Sequence, residues 1–221
     1  MPKESTLQKI TPEELPALIR GLKKQQINEL ALVGPDFWLA ESPENWPNEL
    51  QGRRVFRLTI RPERLPDELT QHQKWEALIL RGLGLRDEDA EILSNHFKNL
   101  TRLDLRDNQI GTAGVTAIVQ LQNLQTLWLG KNQISELPEV IGQLKNLQSL
   151  GFHSSQISEL PEVIGQLKNL QSLSLGNNQF SELPEVIGQL KNLRELWLDN
   201  NQISELPEVI GQLKNLQSLS L

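Results

Sequence analysis

Leucines recur through the second half of the chain at fixed spacings, with polar residues between them. Aligned on the first leucine, copies of one unit start at Leu124, Leu147, Leu170 and Leu193, and a fifth starts at Leu216 and runs to Leu221. The shared pattern is L-x-x-L-x-L-x-x-N-x-I-x-x-L-P-x-x-I-x-x-L-x-x, with a period of 23 residues. Twelve consecutive positions, SELPEVIGQLKN, are identical in Ser135–Asn146, Ser158–Asn169, Ser181–Asn192 and Ser204–Asn215. Such a period marks stacked units, none of which buries its apolar face alone. Leu127 and Leu129 alternate with outward-facing residues, which is strand periodicity. Asn132 stands where the chain must leave the strand, and a column of such amides can both donate to and accept from the backbone of the turns. Pro138 presets φ for the first turn of a helical segment. Gly142 weakens that segment, so short 3₁₀ turns are predicted on the outer side. The pattern predicts an α/β solenoid, with parallel strands on the concave face and short 3₁₀ or α turns on the convex face.

Two earlier units are longer. Leu100–Asn123 keeps Leu100, Leu103, Leu105, Asn108 and Ile110 in register, and its GTAGVTAIVQL half reads as a helix. In Trp75–Asn99, Trp75, Leu78, Leu80 and Leu85 keep register, and DEDAEILSNHF reads as an amphipathic helix led by an acidic turn. Leu83 takes the asparagine position there. Val55, Leu58 and Ile60 suggest one further strand, and Ile27, Leu30 and Leu32 another. Thr11-Pro12-Glu13-Glu14 has the form of a capping box with proline first in the helix. Leu15, Leu18, Ile19 and Leu22 then make an apolar stripe to about Lys24. Gly34–Gln51, with Phe37, Trp38 and Trp46, reads as an irregular loop. The expected organisation is a cap over residues 1–54, helix-containing repeats over 55–123, and 23-residue repeats over 124–221.

This pattern resembles the leucine-rich repeat. The LP-x-x-I-x-x-L half is similar to the 23-residue kind found in Roco proteins and in plant intracellular Ras-group-related repeat proteins. The longer units over residues 75–123 are similar to those of the ribonuclease-inhibitor class. The resemblance implies a scaffold or sensor portion of a larger bacterial signalling protein. It also implies a second reading, an activator of a GTPase acting through Arg102 or Arg106.

Composition narrows the choice. Acidic residues number 28 against 22 basic, a formal net charge of −6, which argues against nucleic acid as partner. No polybasic block suggests a membrane surface. Cysteine is absent, which excludes thiol chemistry and fits a cytoplasmic protein. Met1–Thr11 is polar and lacks an apolar secretory segment, and no stretch has the length and apolarity of a membrane span. There is no G-x-x-x-x-G-K-[ST] loop, no G-x-S-x-G elbow and no H-E-x-x-H. The carboxylates Glu136 and Glu139 recur in every copy and so read as surface structure. The expectation is a non-enzymatic protein without cofactor or metal.

The copies differ at unit positions 2, 3, 5, 6, 7, 8, 9 and 11, and five of these eight are expected on the concave face. Either that face has diversified to recognise a protein or peptide, or its sites have drifted because no core restrains them. The mid-strand position holds Ile79, Asp104, Trp128, Gly151, Ser174, Trp197 and Ser220. Trp128 and Trp197 are candidate anchors, since tryptophan buries a large area and keeps one polar handle. Gly151 and Ser174 should leave a shallow depression between them. Replacing both tryptophans is then expected to weaken partner capture and to leave the thermal midpoint nearly unchanged. Arg102, Asp104 and Arg106, and Arg194, Glu195 and Asp199, would tune the choice of partner or form a solvated face. His153 reads as an exposed residue of the same surface. The register ends mid-strand at Leu221, which leads to the expectation of further sequence downstream, or of self-association through that end.

Overall fold

The computed structural model describes residues 6–25, 29–34, 54–58, 66–71 and 74–221. One parallel sheet of ten strands runs through them. From the N-terminus it comprises β1 (Thr6–Ile10), β2 (Glu29–Val33), β3 (Arg54–Leu58), β4 (Ala77–Arg81), β5 (Arg102–Asp104), β6 (Thr126–Trp128), β7 (Ser149–Gly151), β8 (Ser172–Ser174), β9 (Glu195–Trp197) and β10 (Ser218–Ser220). From β5 onward each strand lies beside its predecessor. Leu78, Leu103, Leu127, Leu150, Leu173 and Leu196 fall in one cross-strand row. All six are fully buried. This is the expected solenoid, and the layered leucines are what no single unit could bury alone.

The N-terminal region adds more sheet than the sequence suggested. Besides its helix it contributes β1 and β2, and the order there is β1-β3-β2-β4. The apolar runs around Leu30 and Val55 form strands, while Ile27 and Ile60 lie outside the described residues, as do positions 35–51 of the expected loop. β1 was missed because TLQKI is short and mostly polar, and its partner among the described residues, β3, is distant in sequence. Helix α1 (Leu15–Lys24) buries Leu15, Ile19 and Leu22. It begins later than expected. Thr11 to Glu14 forms a tight turn first, with Glu14 N and Leu15 N bonded to Thr11 O and Pro12 O. Pro16, rather than Pro12, occupies the first helical turn. The reciprocal half of the capping box is present, with Thr11 N donating to Glu14 Oε2 at 2.8 Å.

A short helix α2 (Asp67–Gln71) precedes β4. The longer units carry α3 (Asp87–His96) and α4 (Thr112–Ile118), as their patterns predict. The Asp87 carboxylate at the start of α3 accepts Gly111 N at 2.6 Å, at the start of α4. Later crossovers are the predicted 3₁₀ turns, Glu139–Gln143 and its equivalents, each entered from an extended proline. Gly142 and Gly165 do more than weaken a helix. A Cβ there would come within 2.9 and 2.5 Å of the valine of the next turn, so the glycine lets successive turns nest.

Every turn after β5 to β9 passes through a left-handed residue at unit position 8. These are Asp107, Lys131, Ser154, Asn177 and Asn200, with φ between 54° and 62°. Gly82 holds the same place in the unit that lacks asparagine. Variation at position 8 is therefore restricted by backbone conformation and does not report partner choice alone.

The asparagine column forms as expected. Asn132 Nδ2 donates to Leu105 O and Leu129 O at 2.9 and 2.8 Å, and its Oδ1 accepts Ile110 N at 2.9 Å. Asn108, Asn178 and Asn201 repeat the arrangement. Ser155 interrupts it, and its buried Oγ has no hydrogen-bond partner. A second ladder was not foreseen. Asn123, Asn146, Asn169, Asn192 and Asn215 each donate to a carbonyl of the preceding unit at 2.8–3.0 Å. On the convex face Lys145, Lys168 and Lys191 donate to Gln166, Gln189 and Gln212 of the next unit. Part of the identity among the twelve-residue blocks is thus structural, because these outer residues tie neighbouring units together.

Candidate functional site

Between core leucines, unit positions 3, 5 and 7 face the concave side. At position 5 the register aligns Ile79, Asp104, Trp128, Gly151, Ser174, Trp197 and Ser220 across β4 to β10. The face is open only in part. Ala77, Ile79 and Arg81 of β4 are all buried, so the accessible portion starts at β5.

Asp104 does not face solvent. It is 1% exposed and clamped between two arginines. Arg81 Nε and Nη2 donate to its Oδ2 at 2.9 and 2.5 Å. Arg106 Nε reaches Oδ1 at 3.0 Å and Nη2 reaches Oδ2 at 2.7 Å. The Arg106 guanidinium then lies 5.3 Å from the centre of the Trp128 ring, in cation–π geometry. Asp104 therefore positions Arg106 and is shielded from direct contact with a partner. Arg81 was not singled out from sequence, although it shares unit position 7 with Arg106 and His153.

The glycines on this face are seats for neighbouring side chains. A Cβ at Gly151 would lie 2.2 Å from Trp128 Cε3, so the Trp128 ring rests on Gly151. The depression expected there is filled by that ring. The expectation that both tryptophans can be lost without cost to stability is corrected for Trp128, which packs between Arg106 and Gly151. In the same way the His153 ring covers Gly130, and the Asp199 carboxylate covers Gly176 at 2.8 Å from a built Cβ. No group of metal-ligating side chains occurs among the described residues.

Trp197 differs from Trp128. Its cross-strand neighbours are Ser174 and Ser220, and Glu195 precedes it on the same strand face, while it is half-buried as Trp128 is. Asp199 follows two residues on, and among the described residues its carboxylate accepts only long bonds, from Asn177 and Asn200 at 3.5 and 3.4 Å. Arg194 stands apart. It lines a separate polar hollow with Gln171, Asn192 and Asn215. Arg102 borders another hollow of about 270 Å³, together with Glu29, Glu76 and Thr126. The predicted residues thus fall into three groups: Asp104 and Arg106 with Trp128, Glu195 and Asp199 around Trp197, and Arg102 and Arg194 in the two hollows. His153 stands between the first two.

Comparison with known proteins agrees with the geometry. The family described as Leucine-rich repeat region matches residues 146–221, and that described as Leucine rich repeat matches residues 98–157. A search of curated protein sequences finds no significant match. Among solved structures, a leucine-rich-repeat protein of Leptospira interrogans is 28% identical with a TM-score of 0.51, over 75% of this chain and 56% of that one. The plant peptide hormone receptor RGFR1, solved in complex with RGF2, is 30% identical with a TM-score of 0.60, over 76% of this chain and 27% of the receptor. The ectodomain of the Arabidopsis thaliana membrane receptor kinase GASSHO1/SCHENGEN3, in complex with CASPARIAN STRIP INTEGRITY FACTOR 2, is 25% identical with a TM-score of 0.60, over 96% of this chain and 28% of that one. The chain thus spans about half the length of the bacterial protein and about a quarter of the plant receptors.

Proposed function

We propose that this chain, built over residues 98–221 from leucine-rich repeats, binds a polypeptide segment on the open part of its concave face. The observation that carries the reading is Trp197, a half-buried tryptophan on a strand face where its cross-strand neighbours are serines. A large aromatic surface left accessible amid small side chains is what a binding hot spot requires. The unit positions that vary among otherwise near-identical copies include those around it. Two of the solved neighbours are plant receptors in complex with peptide ligands, which supports a polypeptide as the class of partner. The LP-x-x-I-x-x-L half-repeat further supports kinship of residues 124–221 with the 23-residue kind of Roco proteins, and with it a place in a larger signalling protein.

The alternative, a GTPase activator, would need Arg106 or Arg102 to reach a bound nucleotide. The two hydrogen bonds that Arg106 donates to Asp104 favour the binding reading. The test is selection of binding peptides from a random displayed library, followed by replacement of Trp197 with alanine. Loss of binding with retained circular dichroism supports the proposal. Binding that survives both Trp197→Ala and Trp128→Ala refutes it.

A further inference from the structure

The geometry points to an arginine of the polypeptide partner as the group that docks on Trp197, seated between the carboxylates of Glu195 and Asp199. This rests on the concave-face reading above and names the chemistry of its occupant. The chain itself contains one carboxylate-held arginine over a tryptophan. At Trp128 the preceding unit supplies Arg106 at unit position 7, whose guanidinium lies over the ring at 5.3 Å and is held by the carboxylate of Asp104. At Trp197 the preceding unit supplies Ser174 of β8 at position 5 and, after that strand, Gly176 at position 7. The place taken by a cation over Trp128 thus has no side chain of its own at Trp197. The Asp199 carboxylate leans across it, over Gly176.

The charge around Trp197 is one-sided. Glu195 lies on the same strand face two residues before the ring, and Asp199 two residues after it. Among the described residues neither carboxylate pairs with a lysine or arginine. Asp199 accepts only from the amides of Asn177 and Asn200, which anchor it and leave its charge in place. Two carboxylates flanking a partly accessible indole select a cation. They favour guanidinium over ammonium, because the planar fork can stack on the ring and still present parallel N–H groups to a carboxylate.

The experiment uses the whole chain and a random dodecapeptide library displayed on phage. Binders are resynthesised with each arginine replaced by citrulline, which keeps shape and removes charge. The inference expects one arginine whose replacement weakens binding to the native chain about tenfold or more. The same replacement should change binding less than about twofold on a Glu195→Gln/Asp199→Asn variant, where the cation has lost its partners. These two substitutions are nearly isosteric, and circular dichroism verifies the fold. Binders that require Trp197 but tolerate citrulline everywhere would overturn the arginine assignment and leave the concave-face proposal standing. Binders that require Trp128 but not Trp197 would likewise overturn only the arginine assignment, whereas a library that yields no binder, or binders indifferent to both Trp197→Ala and Trp128→Ala, would overturn both.

Discussion

Ser155 offers a sharp test of what holds the units together. Its counterparts Asn108, Asn132, Asn178 and Asn201 each donate to two main-chain carbonyls and accept at least one main-chain N–H. By the same register, asparagine at 155 would donate to Leu129 O and Phe152 O and accept Ile134 N. Serine is too short for this, and its Oγ is buried without a partner. Three new bonds at about 1 kcal/mol each, less about 1 kcal/mol of side-chain ordering, give a net gain of about 2 kcal/mol for Ser155→Asn. In a chain of this size that raises the melting temperature by about 4–8 °C. The reverse change, Asn132→Ser, should cost at least as much, because it also orphans the N–H of Ile110. Thermal and urea unfolding followed by circular dichroism would measure both. If Ser155→Asn proves neutral or destabilising while the chain keeps its fold, the amide ladder is not the coupling described here.

Three further outcomes follow from the geometry. Trp128→Ala should lower stability by about 2 kcal/mol, since the ring packs on Gly151 under Arg106, whereas Trp197→Ala should cost under about 1 kcal/mol; equal losses in urea midpoint would contradict the distinction. Asp104→Asn removes the carboxylate from the buried Arg81 and should cost about 3 kcal/mol, and a loss below about 1 kcal/mol by the same measure would show that the clamp is not structural. Gly165→Ala places a methyl 2.5 Å from Val186 and should cost about 1–3 kcal/mol, while Gly211→Ala, at the same unit position with nothing within 4 Å, should be neutral or slightly stabilising; thermal midpoints that move together would refute the nesting of the turns.

The sequence made the repeat register legible because Leu127, Asn132 and Ile141 each recur at a spacing that local periodicity can detect. The strands, the 3₁₀ turns and helices α3 and α4 follow from that register, as does the side of the sheet that carries Trp128 and Trp197. What escaped depends on contacts between units, which no single unit encodes. The burial of Asp104 needs Arg81, 23 residues earlier, and the seat of Trp128 needs Gly151, 23 residues later. The asparagine at the last position of each unit was visible and invariant, but its carbonyl acceptor lies one crossover away. β1 escaped for a related reason, since a short polar strand is defined by its partner and β3 follows it by some forty residues and across another strand.

The central claim is that the accessible strand face from β5 to β9, and Trp197 above all, receives the partner. A crystal structure of the chain bound to a selected peptide tests it most directly. The account predicts an extended peptide crossing these strands with a side chain stacked on the Trp197 ring. A peptide seated on the convex 3₁₀ turns, with the Trp197 ring left in solvent, would contradict it.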